Sequence, residues 1–314
     1  MNDKYFQVHN FFLKEGFLPL DRKSYPVLRN YNHCSLLQEK SAMMFVTWHF
    51  DNFGLYKILD EYLCSVFFYE GRDIYWTIHR PQENDAYPLQ PIIDTLYGLC
   101  KKAGLPFLQI KFIDEHLLTE YEAVQDHTLQ TTWSIDNSEY AYRTKDLANL
   151  AGPDNYNKRY KIKKFLNMND IFIHPITNEN VRFCLEIEDE WCSHQDCSLC
   201  GSFTGCEKKA LEVMTDIFDD TIHTGLFFYY GEKPSGYLIT EKISKKLGFL
   251  YFGKSIVDDG LVYLIYTMCK NYLTDIEYIN ADEDMGHQGL RKFKRLLSAH
   301  EMWHKYIVTY GLEI

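Results

Sequence analysis

From residue 171 onward the chain switches hydrophobic period in a fixed order, and that order restricts the fold more than any other feature. Alternating β-branched and aromatic residues mark strands at Ile171 to His174, Gly225 to Tyr230, Ser235 to Glu241 and Phe249 to Ile256. Helical spacing marks Asn178 to Cys192, Glu207 to Ile222 and Leu261 to Tyr272. The end of the chain, Ile276 to Tyr310, reads as a short strand (Ile276 to Ile279), an acidic turn, a basic amphipathic helix and a closing strand (Trp303 to Tyr310). The order is strand, two helices, three strands, helix, strand, helix, strand. Such an alternation buries its apolar faces only as a mixed sheet with helices packed on it, an α+β domain.

The first half has a similar succession. A helix from Lys4 to Glu15 opens the chain, and Ala42 to Phe50 reads as a strand. Tyr62 to Tyr69 and Asp73 to His79 form a hairpin around Glu70-Gly71-Arg72. A helix from Leu89 to Lys102 ends at Gly104, a strand covers Phe107 to Phe112, and Asp114 caps a helix reaching Val124. Leu129 to Trp133 is a further strand, and Thr144 caps a short helix that stops at Gly152-Pro153. At 314 residues the chain has room for two domains, expected at 1–168 and 169–314.

The formal net charge of -11 argues against a general nucleic-acid-binding face and makes local positive charge informative. No apolar run reaches the ~18 residues of a membrane span. The N-terminal residues lack the apolar core of a secretion signal, so the cytoplasm is the expected compartment. Two segments stand out from the acidic background. One helix carries Lys158, Arg159, Lys161, Lys163 and Lys164. In the terminal helix Leu290, Phe293 and Leu297 face the core, while Arg291, Lys292, Lys294 and Arg295 crowd the remaining surface. Asp284 or a neighbour caps that helix, and Gly286 and Gly289 bracket its first turn. A helix N-terminus beside Arg and Lys suits an anionic group; the alternative is a solvated face.

The odd count of nine cysteines argues against a disulfide framework. Cys34, Cys64, Cys100, Cys184 and Cys269 lie in apolar settings. Cys192, Cys197, Cys200 and Cys206 are clustered, with a C-x-x-C at Cys197. They are candidates for zinc or an iron–sulfur group, although the spacing matches no common module; otherwise they are thiols in an interhelical loop.

The element order of the second half is that of the GNAT (acyl-CoA N-acyltransferase) fold, and a tandem pair of GNAT-like domains accounts for both halves. Matching pieces extend over most of the chain: Tyr140-Ala-Tyr142, Asp146-Leu147, Leu150-Ala-Gly152, Lys158-Arg159, Phe165, Trp191, Glu207 with Ala210, and Lys305-Tyr306. The most specific is Asn280-x-x-x-Asp284-x-Gly286-x-x-Gly289-Leu290-Arg291-Lys292-x-Lys294. On these residues the chain resembles the bacterial proteins related to the C-terminal domain of phosphatidylglycerol lysyltransferase. It departs from their pattern at Tyr160, where they usually carry Asn.

The resemblance implies acyl or aminoacyl transfer, with charged tRNA, another anionic acyl carrier or acyl-CoA as donor and peripheral contact with lipid head groups. Asp284 and Asn280 would then be the catalytic pair: Asp284 positions a nucleophile or takes its proton, or else caps its helix, and Asn280 donates to a carbonyl. Lys158, Arg159, Arg291, Lys292, Lys294 and Lys305 would bind the substrate from a basic cleft between the domains. Ordinary acetyl-CoA binding would need a phosphate loop near Gly253 to Gly260, where this chain reads G-K-S-I-V-D-D-G. Two aspartates oppose a pyrophosphate there. The alternative is a non-catalytic GNAT-like protein that holds an anionic ligand or a protein partner.

Overall fold

The computed structural model describes residues 3–32, 35–48, 54–68, 74–80, 88–168, 170–194 and 206–312. The chain forms two compact units, residues 1–138 with 303–314, and residues 139–302. This differs from the division expected at 168/169. Residues 139–168 belong to the second unit because the first of its strands lies inside the second sheet and the two helices that follow pack on a helix of that unit. Residues 303–314 return to the first unit for the same reason.

In the first unit the strands are β1 (Leu18–Pro19), β2 (Gly54–Leu59), β3 (Tyr62–Phe67), β4 (Tyr75–His79), β5 (Leu108–Asp114) and β6 (Leu129–Trp133), joined by β14 (Lys305–Tyr310). Their order is β1-β2-β3-β4-β5-β14-β6. Strands β3 and β4 pair antiparallel, as the expected hairpin requires. The hairpin's tip lies outside the described residues. The helices are α1 (Asp3–Lys14), α2 (Tyr25–Arg29), α3 (Ala42–Trp48), α4 (Leu89–Lys102) and α5 (Leu118–Glu122). Phe12, Trp76, Ile93, Leu96, Ile110, Val308 and Tyr310 are among the core residues of this unit.

Two expectations for this unit are corrected. Ala42–Trp48 is a helix, not a strand. All its residues from Ala42 to Thr47 are buried, and a helix buried on every side has no period to betray it. The missed signal is local: Ser41 Oγ accepts the Met44 amide at 3.3 Å, and Thr47 Oγ1 donates to the Met43 carbonyl at 2.8 Å. Asp114 makes no capping bond at its helix. Its carboxylate instead accepts the Ser35 hydroxyl at 3.0 Å and the Leu36 amide at 2.9 Å, with Lys40 Nζ at 3.7 Å.

The second unit contains β7 (Glu139–Arg143), α6 (Thr144–Asn149), α7 (Tyr156–Leu166), β8 (Ile171–Pro175), α8 (Phe183–Ser193), α9 (Glu207–Ile217), β9 (His223–Tyr230), β10 (Lys233–Lys242) and β11 (Leu247–Ser255). It continues with α10 (Gly260–Asn271), β12 (Tyr278–Asn280), α11 (Gln288–Leu296) and β13 (Glu301–Trp303). The sheet order is β13-β7-β12-β11-β10-β9-β8. In each sheet one strand pair next to the centre is parallel: β4 with β5 at Trp76 and Ile110, and β11 with β12 over Leu247 to Phe249. Beyond Phe249, β11 and β12 no longer pair, so the far end of β11 is free of its neighbour on that side. Tyr142, Phe165, Leu226, Phe228, Leu238, Leu264, Met268 and Leu297 are among the core residues here. The N-cap of α6 is Arg143, and Thr144 is the first residue of the helix rather than its cap.

Candidate functional site

Apart from Lys305-Tyr306, the pieces of sequence that matched at a distance lie in the second unit. Strand β7 pairs antiparallel with β12, setting Ala141 beside Asn280 and Tyr142 beside Ile279. From β7, Tyr140 donates its hydroxyl to Asp284 Oδ2 at 2.5 Å, and Tyr142 donates to the Lys294 carbonyl at 2.9 Å. Arg291 grips the same aspartate with two groups, Nε to Oδ2 at 2.8 Å and a terminal nitrogen to Oδ1 at 2.6 Å. The Gly286 amide also donates to Oδ1, at 2.8 Å. Asp284 is only 1% exposed.

Burial alone would push the Asp284 carboxyl up. The hydrogen bonds from Arg291, Tyr140 and Gly286 outweigh it and hold the group down at about 2. A carboxylate this acidic is a poor proton acceptor near neutral pH. Nor does it cap the helix: the N-cap is His287, whose ring accepts the Leu290 amide at 3.4 Å. Asn280 is equally buried, donating to Glu139 Oε2 at 2.5 Å and accepting the Asp282 amide at 2.8 Å.

The cations are as firmly engaged. Lys294 is 6% exposed and donates to the carbonyls of Ala281 and Glu283, both at 2.5 Å, while its ammonium lies 5.5 Å from the Tyr140 ring centre. Lys158 reaches the C-terminal end of α11, donating to the carbonyls of Leu296 at 3.2 Å and Leu297 at 3.0 Å and to Ser298 Oγ at 2.8 Å. It is a cationic cap on a helix C-terminus, where the dipole favours it. Burial pushes its ammonium down, against the pull of Asp154 and Asp146. Arg159 ties down the turn before its own helix through the carbonyls of Leu150 and Gly152, at 2.6 and 2.7 Å. Lys292 is exposed. Lys305 belongs to the first unit, 3% exposed, with Glu39 at 3.7 Å and the Phe112 ring centre at 5.4 Å.

A second constellation was not singled out as a site in the sequence, although two of its members, Trp191 and Glu207, are among the matching pieces. Both grip Lys254. Glu207 Oε2 accepts its ammonium at 2.7 Å, and the Trp191 ring centre lies 4.4 Å from it. Lys254 sits opposite Tyr237 across the β10–β11 ladder, near the end of β11 that β12 has left. Tyr237 is fully buried and donates at 2.8 Å to Glu188, itself 0% exposed. The Cys192 thiol, one turn along α8, lies 3.9 Å from the other Glu188 oxygen. Burial pushes the Glu188 carboxyl up and Glu207 adds to this, against Lys254 and the hydrogen bonds from Tyr237 and Cys192. Burial would lower Lys254, but Glu207 and Glu188 outweigh it and push the ammonium up. The raised Lys254 is held charged by its two carboxylates, whereas the buried Glu188 carboxyl, raised mainly by desolvation, is a candidate proton carrier. The periodic pattern hid these residues, because Glu188 and Tyr237 join only after α8 packs on the sheet.

Of the four clustered cysteines, Cys192 and Cys206 are half-buried and in no disulfide. Cys197 and Cys200 lie outside the described residues, as does Cys34. A cavity of about 450 Å³ in the first unit, lined by Arg80, Leu89, Gln90, Glu120 and Val124 among others, includes no residue singled out in the sequence.

The fold is that of a tandem GNAT-like α+β protein. The family model described as phosphatidylglycerol lysyltransferase, C-terminal, matches residues 41–309, and the chain belongs to that family. Three solved structures show the same fold. One is a conserved protein of unknown function from Bacteroides thetaiotaomicron (21% identity, TM-score 0.81, covering 94% of this chain and 99% of that one). Another is L-PGS from Bacillus licheniformis (10%, 0.66, 95% and 94%). The third is the C-terminal domain of a lysylphosphatidylglycerol synthetase described as putative, from Agrobacterium fabrum (11%, 0.65, 93% and 91%). No curated protein matches the chain. Among the described residues, no helix is long and apolar enough to cross a membrane.

Proposed function

We propose that the chain transfers an aminoacyl group from charged tRNA, or an acyl group from another anionic carrier, to an amine or hydroxyl nucleophile. Membership of the lysyltransferase C-terminal family supports the reaction class. Asp259 carries the choice of donor. It occupies the N-cap of α10 with φ 64°, at the positive helix end where a pyrophosphate would bind. Lys161 of α7 closes on its carboxylate, and Lys164 lies at 3.7 Å. A protein carboxylate thus takes both the helix dipole and the nearby lysines. Gly260 follows because no side chain fits: a Cβ would lie 2.7 Å from the Phe228 ring. This arrangement opposes acetyl-CoA and favours a carrier bound in another way.

In this reading Asp284 holds Arg291 in one orientation, and Asn280, Lys294, Lys158 and Arg159 hold the strands and helix ends around it. Arg291, whose side chain is 18% exposed, and Lys292 meet the carrier's phosphates. Lipid head groups are the acceptor class that the family name suggests, reached by peripheral contact from the cytoplasm. One observation favours a non-catalytic binding protein instead: most of the motif's cations are spent on internal carbonyls and carboxylates. The deciding experiment compares binding of charged tRNA, uncharged tRNA and acetyl-CoA at two salt concentrations. Selective, salt-sensitive binding of the charged form is expected. Tight acetyl-CoA binding would restore ordinary acetyl transfer, and binding of none of the three would leave the non-catalytic reading in front.

A further inference from the structure

We propose that Cys192 is an acyl-accepting nucleophile, with Glu188 as its base and Lys254 as the cation beside the reacting carbonyl. The proposal deepens the transferase reading and rests on it. It is carried by the surroundings of Glu188, the carboxyl beside this half-buried thiol: Tyr237 of β10 bonds it, and Lys254 of β11 stands opposite Tyr237 in the ladder. Glu188, on the same helix, offers a carboxylate oxygen at 3.9 Å. From β11, Lys254 brings an ammonium fixed by Glu207 at 2.7 Å and by the Trp191 face at 4.4 Å. From β10, the Tyr237 hydroxyl occupies the second Glu188 oxygen at 2.8 Å, leaving the first directed toward the sulfur. The thiolate is the form that attacks, and Glu188 is placed to take the proton that must leave the sulfur.

The contrast with the other thiols sharpens the assignment. Cys64, Cys100, Cys184 and Cys269 are buried, and burial pushes every one of them up, Cys100 and Cys269 to about 12. They stay protonated and enclosed. Cys192 alone among the described cysteines has a carboxylate within hydrogen-bonding distance of its sulfur in these contacts.

The chemistry balances within the site. The thiol proton passes to Glu188 as the sulfur attacks the acyl carbonyl carbon of the carrier ester and a C–S bond forms. The tetrahedral intermediate places its negative oxygen toward Lys254. It collapses by breaking the C–O bond, and the departing carrier oxygen takes the proton from Glu188. The acceptor nitrogen or oxygen then attacks the thioester, its proton goes to Glu188, and the C–S bond breaks. The thiolate recovers that proton. One acyl group has moved, and no oxidant, reductant or metal is required.

The test uses the 314-residue chain and p-nitrophenyl acetate as an activated acyl ester, with peptide mass analysis locating the acetyl group. Acetylation is expected at Cys192 ahead of Cys206, which is also half-buried and serves as an internal control. It should vanish from that peptide in Cys192→Ser and slow by about 100-fold or more in Glu188→Gln, the usual scale for losing a general base. Acetyl groups on Cys206 or Lys208 with Cys192 untouched would overturn the proposal, and that result needs no variant. If charged tRNA binds selectively while Cys192 stays unmodified, only the covalent step falls. If Cys192 is acetylated but no charged tRNA binds, the nucleophile stands and the donor must be sought elsewhere.

Discussion

The two constellations of the second unit use the same residue types for opposite ends. Around Asp284 every strong donor is matched to an internal acceptor: a bidentate arginine, a tyrosine, a backbone amide, and lysines on carbonyls. Around Glu188 the acid bonds a hydroxyl and a thiol among the described residues, while the nearby lysine is tied to a different carboxylate. The first carboxyl is held far below its ordinary range and the second is raised above it. Saturated charge builds a rigid frame; a carboxyl left short of positive charge remains able to exchange a proton. The densest motif in a sequence can therefore mark the frame rather than the chemistry.

The largest test of this contrast is Asp284→Asn. Breaking a buried pair leaves Arg291 uncompensated, so a loss of about 3–5 kcal/mol in urea unfolding is expected. A loss below ~1 kcal/mol would mean that the frame is not held there. Lys158→Met should cost about 2–3 kcal/mol, because two carbonyls at the end of α11 lose a charged donor. Unchanged unfolding would show that water replaces the lysine.

The two carboxyls should also titrate with opposite sign. The folded value of Asp284 is depressed to about 2 against ~3.9 when unfolded. Its contribution is full above about pH 4 and is lost as pH falls toward 2, an effect of about 2 kcal/mol. Stability measured from pH 5 to 2 should show this loss, and Asp284→Asn should flatten it. The folded value of Glu188 is raised, so its contribution is full below the unfolded value of ~4.3 and drains as pH rises toward the folded value. Glu188→Gln should remove that decline; a parallel decline in the variant would place the source in another group. The smallest effect belongs to Lys164→Ala. Its side chain is 54% exposed and pairs with Asp259 at the surface, so a change under about 1 kcal/mol is expected. A larger cost would make the Asp259 clasp a structural element in its own right.

Much of the architecture was legible. The element order of the second half follows from period changes that neighbouring residues carry by themselves, and glycine positions mark several ends. Ala42–Trp48 was misread because complete burial erases periodicity. The cations of the terminal motif were read as a surface cluster, yet Lys294 is buried, because sequence cannot tell whether an ammonium meets a ligand or a carbonyl elsewhere in the chain. Lys294 and Lys158 do the latter. Trp191 and Glu207 were visible as matching residues without a role, since their common partner, Lys254, lies on a strand 47 residues beyond Glu207.

The sequence by itself determined the α+β class, the tandem GNAT-like organisation and the family, because local periodicity and short motifs are properties of adjacent residues. Only the tertiary structure decided where the chain divides, since β7 and β14 take their places through pairing with distant strands. It also decided which charges are spent and which remain reactive. Hydrogen bonding and desolvation act over a few ångströms of space, and packing brings those groups together from across the chain.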